Sequence, residues 1–254
     1  MGILPIAPDK AQALMEWLCW LFYGPPGVGK TTLAAQCPKP LFLATEPGTA
    51  LMDGVASVNI TDWDDLDEKI KAIETESHGY ATIVVDTVDV LFQMCLKHLC
   101  KRHGWNDIGD GAFGKGWRAL ELEWTERVVR LRNLKNKKGQ KLLVVFISHE
   151  RQEMIRVRRG STEMDTGRFK VTSALPAKGR GILHAQVDMV IRCEMDENNK
   201  RLLRTRPSDT PTSVIEAKSR GDFANGRVLS ELIPMSFDAL REDFHKQFKQ
   251  ENGK

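Results

Sequence analysis

The feature that most constrains this 254-residue chain is the run Gly24-Pro25-Pro26-Gly27-Val28-Gly29-Lys30-Thr31, followed by Thr32. It satisfies the pattern G-x-x-x-x-G-K-[ST], and its setting is as informative as its letters. Before it lies Trp17-Leu18-Cys19-Trp20-Leu21-Phe22-Tyr23, a continuous apolar run that predicts a buried strand. After it, Lys30 to Gln36 predicts the start of a helix, which Pro38 and Pro40 end. Glycines at these spacings let the backbone curl until successive N–H groups face one anion. The positive end of the following helix points at the same anion. Lys30 is placed to reach the outer phosphates of a nucleoside triphosphate, and the Thr31 hydroxyl to ligate Mg²⁺. The expected ligand is ATP with Mg²⁺, cradled by Gly24 through Thr32.

Two carboxylates stand where such a loop needs them. Ala81 to Val85 predicts a strand rich in β-branched residues, and Asp86 follows it, 55 residues beyond Thr31. Asp86 reads as the acid that holds the metal's water shell, or as the N-cap of the helix predicted from Val88 to His103. The glutamate that often follows such an aspartate is replaced by Thr87. A second acid, Glu46, closes the apolar run Leu41-Phe42-Leu43-Ala44. Neighbouring parallel strands share one C-terminal edge, so Glu46 reads as the general base for water, or as a solvated residue before Pro47.

Further segments give helices from Trp63 to Glu76 and from Gly116 to Asn136, and an apolar strand from Leu142 to Ile147. Uniformly apolar strands alternating with helices predict an α/β fold, a parallel sheet covered on both faces. From about Ala185 the pattern changes. Val187–Cys193, Arg201–Thr205 and Val214–Ala217 predict short antiparallel strands extending the sheet, and Phe237–Gln250 predicts an amphipathic helix. No linker is visible, so one domain over 1–254 is expected, with an N-terminal extension (1–16) and a terminal helix and tail (236–254).

Composition excludes more than it selects. No apolar run reaches the length of a membrane span. Five scattered cysteines, an odd number, fit reduced thiols in a cytoplasmic protein. The net charge is only +3, but residues 150–180 hold eight basic side chains against four acidic ones. Cys95, His98, Cys100 and His103 would lie on one predicted helix, spread too far around it to meet one metal ion.

Taken in order, GPPGVGKTT, the strand-end glutamate of FLATEPG, VVDTVDVL, AFGKGW at Ala112–Trp117 and EAKSRGDF at Glu216–Phe223 resemble the RecA-type core. They are most similar to phage-encoded, core-only RecA-like ATPases that accompany single-strand annealing and recombination. The resemblance spans roughly Leu18 to Phe223. It implies a RecA-type P-loop NTPase fold and an ATPase acting on single-stranded DNA. It also implies a homo-oligomer, ring or filament, working beside a single-strand-binding protein. His149, after the Leu142–Ile147 strand, takes the place of the usual glutamine that senses the γ-phosphate. Lys218 and Arg220 match the Lys-x-Arg pair that reaches a neighbouring subunit's ATP. Two mobile loops, about His103–Gly116 and Glu150–Arg180, match the DNA-contacting loops. Arg156, Arg158, Arg159, Arg168 and Lys170 would meet phosphates there, and Phe169 or Trp105 would stack bases. Two other functions share these motifs: a nucleotide-switched regulatory or assembly module without DNA, and a ring-helicase motor.

Overall fold

The computed structural model describes residues 15–46, 52–160, 162–219 and 229–249, with the side chains of Glu16, Arg159, Thr162 and residues 246–249 outside that description. A 3-10 turn (Met15–Trp17) leads into β1 (Cys19–Gly24). There follow α1 (Lys30–Ala35), β2 (Pro40–Ala44), β3 (Ala56–Asn59), α2 (Trp63–Thr75), β4 (Thr82–Asp86), α3 (Val88–His103) and α4 (Lys115–Arg132). A long hairpin, β5 (Leu143–Arg159) and β6 (Thr162–Ser173), precedes α5 (Ala177–Gln186). The remaining strands are β7 (Met189–Met195), β8 (Arg201–Arg204), β9 (Ser208–Asp209), β10 (Ser213–Ile215), β11 (Lys218–Ser219) and β12 (Leu232–Pro234), before α6 (Phe237–Lys249).

The main sheet has the order β12-β8-β7-β1-β5-β4-β2-β3. Its six strands from β7 to β3 are parallel, while at one edge β8 pairs antiparallel with β7, and β12 antiparallel with β8. The expectation that the β7 segment would be antiparallel is corrected. Trp20 faces Met189 in a parallel register, because α5 carries the chain back to the starting edge before β7 begins.

The strands read as continuous apolar runs because both faces are covered. Leu21, Tyr23, Leu43, Val85 and Phe146 pack under α2 to α5, while Trp20, Phe22, Phe42, Val84 and Val145 pack under α1 and α6. Trp124 of α4 meets the Phe92 ring edge-on at 5.0 Å, and its indole N–H donates to the Gly179 carbonyl at 3.1 Å. Local signals fix the helix ends. The Asp62 carboxylate accepts from the Asp65 N–H at 2.9 Å to cap α2, and Gly104 at φ 67° stops α3. Among the described residues no helix is long and apolar enough to cross a membrane.

The basic segment is the largest departure from expectation. Residues 150–180 are not an open loop. They form most of the β5–β6 hairpin plus the first turn of α5, because carboxylates sit across from the cations. Arg156 bonds Asp165 at 3.1 Å and lies 3.8 Å from Glu163; Arg168 pairs with Asp209, and Lys170 with Glu216. Arg180 is buried and donates to both Glu153 oxygens, at 3.0 and 2.9 Å. Arg158 is exposed, opposite Glu163 in register. Phe169 lies within β6, about one third exposed. The first expected loop is also compact. It folds into two 3-10 turns (Ile108–Asp110 and Ala112–Gly114), with Trp105 stacked on His103 at 4.3 Å.

Candidate active site

The glycine loop connects β1 to α1 at the C-terminal edge of the parallel strands. Gly27 (φ 74°) and Gly29 (φ 104°) adopt the left-handed conformation that the curl requires, and neither would accept a side chain without strain. Gly24 is glycine for a different reason: a Cβ there would lie 2.3 Å from the Cys193 carbonyl of β7. Lys30 is only 7% exposed, and its ammonium donates to the carbonyls of Gly24 (2.9 Å) and Pro25 (3.0 Å). Burial pulls the Lys30 pKa down from its usual value, opposed by Cys193, Asp86, Asp89 and Glu150. The Lys30 side chain therefore lies across its own loop.

The Thr31 hydroxyl donates to Asp86 Oδ2 at 2.8 Å, so the loop threonine and the β4 carboxylate meet despite their separation in sequence. Burial pushes the Asp86 carboxyl above its ordinary range, and the Thr31 hydrogen bond opposes that. Asp86 is not the N-cap of α3; Thr87 is, and it makes no side-chain cap. Thr31 and Asp86 are hard oxygen donors side by side, the chemistry that holds Mg²⁺.

Glu46 follows β2 on the same edge. Thr45 fixes that exit: its N–H donates to the Asp86 carbonyl (2.8 Å), and its hydroxyl accepts the Thr87 N–H (2.9 Å). The Thr87 hydroxyl lies 3.5 Å from Glu46 Oε1, and His149 Nε2 lies 3.6 Å from Glu46 Oε2. His149 Nδ1 is buried with no partner among the described residues. The expectation that β5 ends at Ile147 is corrected, since the strand continues through Ser148 and His149 to Arg159. Their position above the site survives because β5 remains in register with β1 up to Gly24–His149.

One site residue escaped the sequence reading. Asp89, in the first turn of α3, accepts the Ser148 hydroxyl and the His149 N–H, both at 2.7 Å. Burial raises its pKa against those two bonds. Its only signal in the sequence is an aspartate three residues beyond Asp86, one turn onward once a helix begins at Val88. Arg201 of β8 also flanks the loop, its Nη1 3.3 Å from where a Gly29 Cβ would sit.

Lys218 is placed elsewhere. It lies on β11, paired with Val190, and its ammonium donates to the carbonyls of His184 and Val187, both at 2.7 Å. It caps the end of α5 within its own chain. Arg220 lies outside the described residues, as do residues 1–14 and the tail from residue 250.

A strand, a glycine loop with a buried lysine, and a threonine bonded to the carboxylate of a parallel strand two places away define a P-loop type of nucleotide site. Residues 17–220 match the AAA domain family, and the chain belongs to it. Membership suggests nucleotide binding and hydrolysis. The chain is also 30% identical over 136 residues to the SPbeta prophage-derived uncharacterized protein YorG of Bacillus subtilis (strain 168). That match covers 52% of this chain and 40% of the relative, so the chain spans less than half of the protein it resembles.

Proposed function

We propose that this protein is a RecA-type ATPase that hydrolyses ATP with Mg²⁺ and acts on single-stranded DNA in phage recombination or annealing. The observation that carries the ATPase reading is the convergence of Lys30, Thr31, Asp86, Glu46 and His149 from four neighbouring strand ends. Mg²⁺ held by Thr31 and Asp86 would supply positive charge to the phosphate oxygens. Lys30 adds a second charge there and favours the more negative transition state. Glu46 takes a proton from water as the water oxygen bonds the γ-phosphorus and the bond to the bridging oxygen breaks, releasing ADP. Thr87 and His149 orient the Glu46 carboxylate from two sides.

The DNA half of the reading rests on the ordered motif resemblance, as do the ring or filament and the single-strand-binding partner. The intramolecular bonds of Lys218 leave Arg220 to address a neighbouring subunit's nucleotide. Turnover measured with and without single-stranded DNA tests the proposal. Stimulation by DNA supports it. A slow rate indifferent to DNA favours the nucleotide-switched module, and unwinding of a forked duplex favours the helicase motor.

A further inference from the structure

The edge of the sheet opposite the phosphate loop carries a second assembly of side chains. Each of the four central parallel strands is entered there. Trp17 precedes β1, Lys39 precedes β2, Tyr80 precedes β4, and Lys141 precedes β5. Five-residue strands at ~3.3 Å per residue put this edge roughly 17 Å from the nucleotide site. Two adjoining cavities open on it, of about 910 and 640 Å³, and they share Tyr80, Ala81, Asn136 and Gln140.

The lining is unusual in its charge. Lys39, Lys137 and Lys138 border the first cavity, and Lys135 and Lys141 the second. Glu76 is the single carboxylate in either lining. None of the five lysines makes an ion pair among the described residues, whereas Arg156, Arg168 and Lys170 of the hairpin all do. Residues 133–141 contain four lysines and no acid.

The lysines are also presented on a fixed turn. Asn136 Oδ1 accepts the N–H groups of Lys138 (3.0 Å) and Gln140 (3.1 Å), and its Nδ2 donates to Gln140 Oε1 (2.8 Å). Gly139 at φ 76° closes the turn, and Lys135 and Lys141 bridge at its base. Lys137 and Lys138 therefore project from its tip at little ordering cost. Flat rings are interleaved with the charge: Trp17 is 46% exposed, and the His78 and Tyr80 rings lie 5.4 Å apart.

Cations without ion pairs among the described residues, set beside the exposed Trp17 ring and the half-buried His78 and Tyr80 rings, suit a chain of phosphates that bears unstacked bases. We propose that this edge is the principal binding surface for single-stranded DNA, with phosphates on the lysine turn and bases against Trp17 and Tyr80. The inference rests on the reading of the protein as acting on single-stranded DNA, but it moves the contact from the hairpin to the far edge.

The test uses the full chain and anisotropy of a labelled oligothymidylate about 20 nucleotides long, followed across salt concentration. The triple variant Lys135→Gln/Lys137→Gln/Lys138→Gln should bind at least ~10-fold more weakly at low salt, with a log–log salt slope smaller by roughly 2, about 0.7 per lost phosphate contact. Arg156→Gln should change affinity by less than ~3-fold, the pairing of Arg156 with Asp165 leaving little to lose. Trp17→Ala should weaken oligothymidylate more than a duplex of the same length. Melting temperature and DNA-free ATP turnover of the lysine variant should match those of the unaltered protein, which shows that the fold survives. Undiminished affinity in the lysine variant overturns this inference alone. Tighter binding of polyglutamate than of oligothymidylate also overturns it, and assigns the edge to an acidic protein. Failure of the unaltered protein to bind single-stranded DNA removes it together with the DNA half of the proposed function.

Discussion

Glu46 and His149 stand 3.6 Å apart, although the strands that carry them are separated by β4. The pair spans the end of β4, where Asp86 and Thr87 sit, the place from which the proposed reaction has Glu46 take a proton from water. A general base contributes about 10²–10⁴-fold to rate. Glu46→Gln keeps the shape and removes the proton acceptor. It should lower kcat by about 10²-fold or more while calorimetry shows nucleotide affinity nearly unchanged. Equal turnover in this variant would remove Glu46 from the reaction.

The Thr31 hydroxyl bonded to Asp86 at 2.8 Å is the other half of the site. Asp86→Asn retains an oxygen but loses the charge that favours a divalent cation. Its turnover should fall by at least ~10²-fold, and its nucleotide affinity should become indifferent to Mg²⁺. Lys30→Ala should abolish nucleotide binding or turnover, since Lys30 is the buried cation of the loop. Persistent Mg²⁺-dependent binding in both variants would place the triphosphate elsewhere.

The parts of this site legible in the sequence are those built by local rules. The glycine loop, the strand-end carboxylates and the bounds of α3 follow from apolar runs, glycine spacing and strand-to-helix order. What was not legible depends on partners distant in the chain. Glu150 to Arg180 reads as a basic loop in sequence because Gly160, Ser161, Thr162 and Gly167 give it a flexible composition. It becomes a hairpin through pairs such as Arg156 with Asp165, which composition does not reveal. β3 was missed because Ala56-Ser57-Val58-Asn59 is short, half exposed and poor in large apolar residues. Lys218 carried the letters of a trans-acting pair, yet its ammonium turns to the end of α5, a destination set by where β11 joins β7.

Gly116, from the AFGKGW run, has a structural task. A Cβ on it would lie 2.0 Å from the Ile108 carbonyl and 3.3 Å from the Trp105 ring, at the start of α4. Backbone cannot retreat from such a contact without disturbing the 3-10 turn beneath it. Gly116→Ala should lower stability by about 1–3 kcal/mol, despite the better helix propensity of alanine. Urea denaturation measures this. A variant as stable as the unaltered chain would mean that α4 can shift freely on the turn.

Acid should loosen the joint between α5 and the β6–β10 ribbon. His184 is largely buried there, facing Glu216, Arg180, Lys218 and Lys170, and burial holds its pKa down at about 4. In the unfolded chain it titrates near 6.5. Between those values the unfolded state binds more protons, so this contribution is complete above about pH 6.5 and is lost as pH falls toward 4. Glu216 acts in the same sense. Burial opposes its charge, but the hydrogen bonds from Lys170 and Thr172 hold its pKa below the usual range, so its stabilisation is also lost in acid. The melting temperature should therefore fall steadily from pH 6.5 to 4. His184→Gln, which cannot take up the proton, should flatten the upper part of that decline and leave the part owed to carboxylates. An identical pH profile in the variant would show that His184 is protonated in the fold as readily as in the open chain.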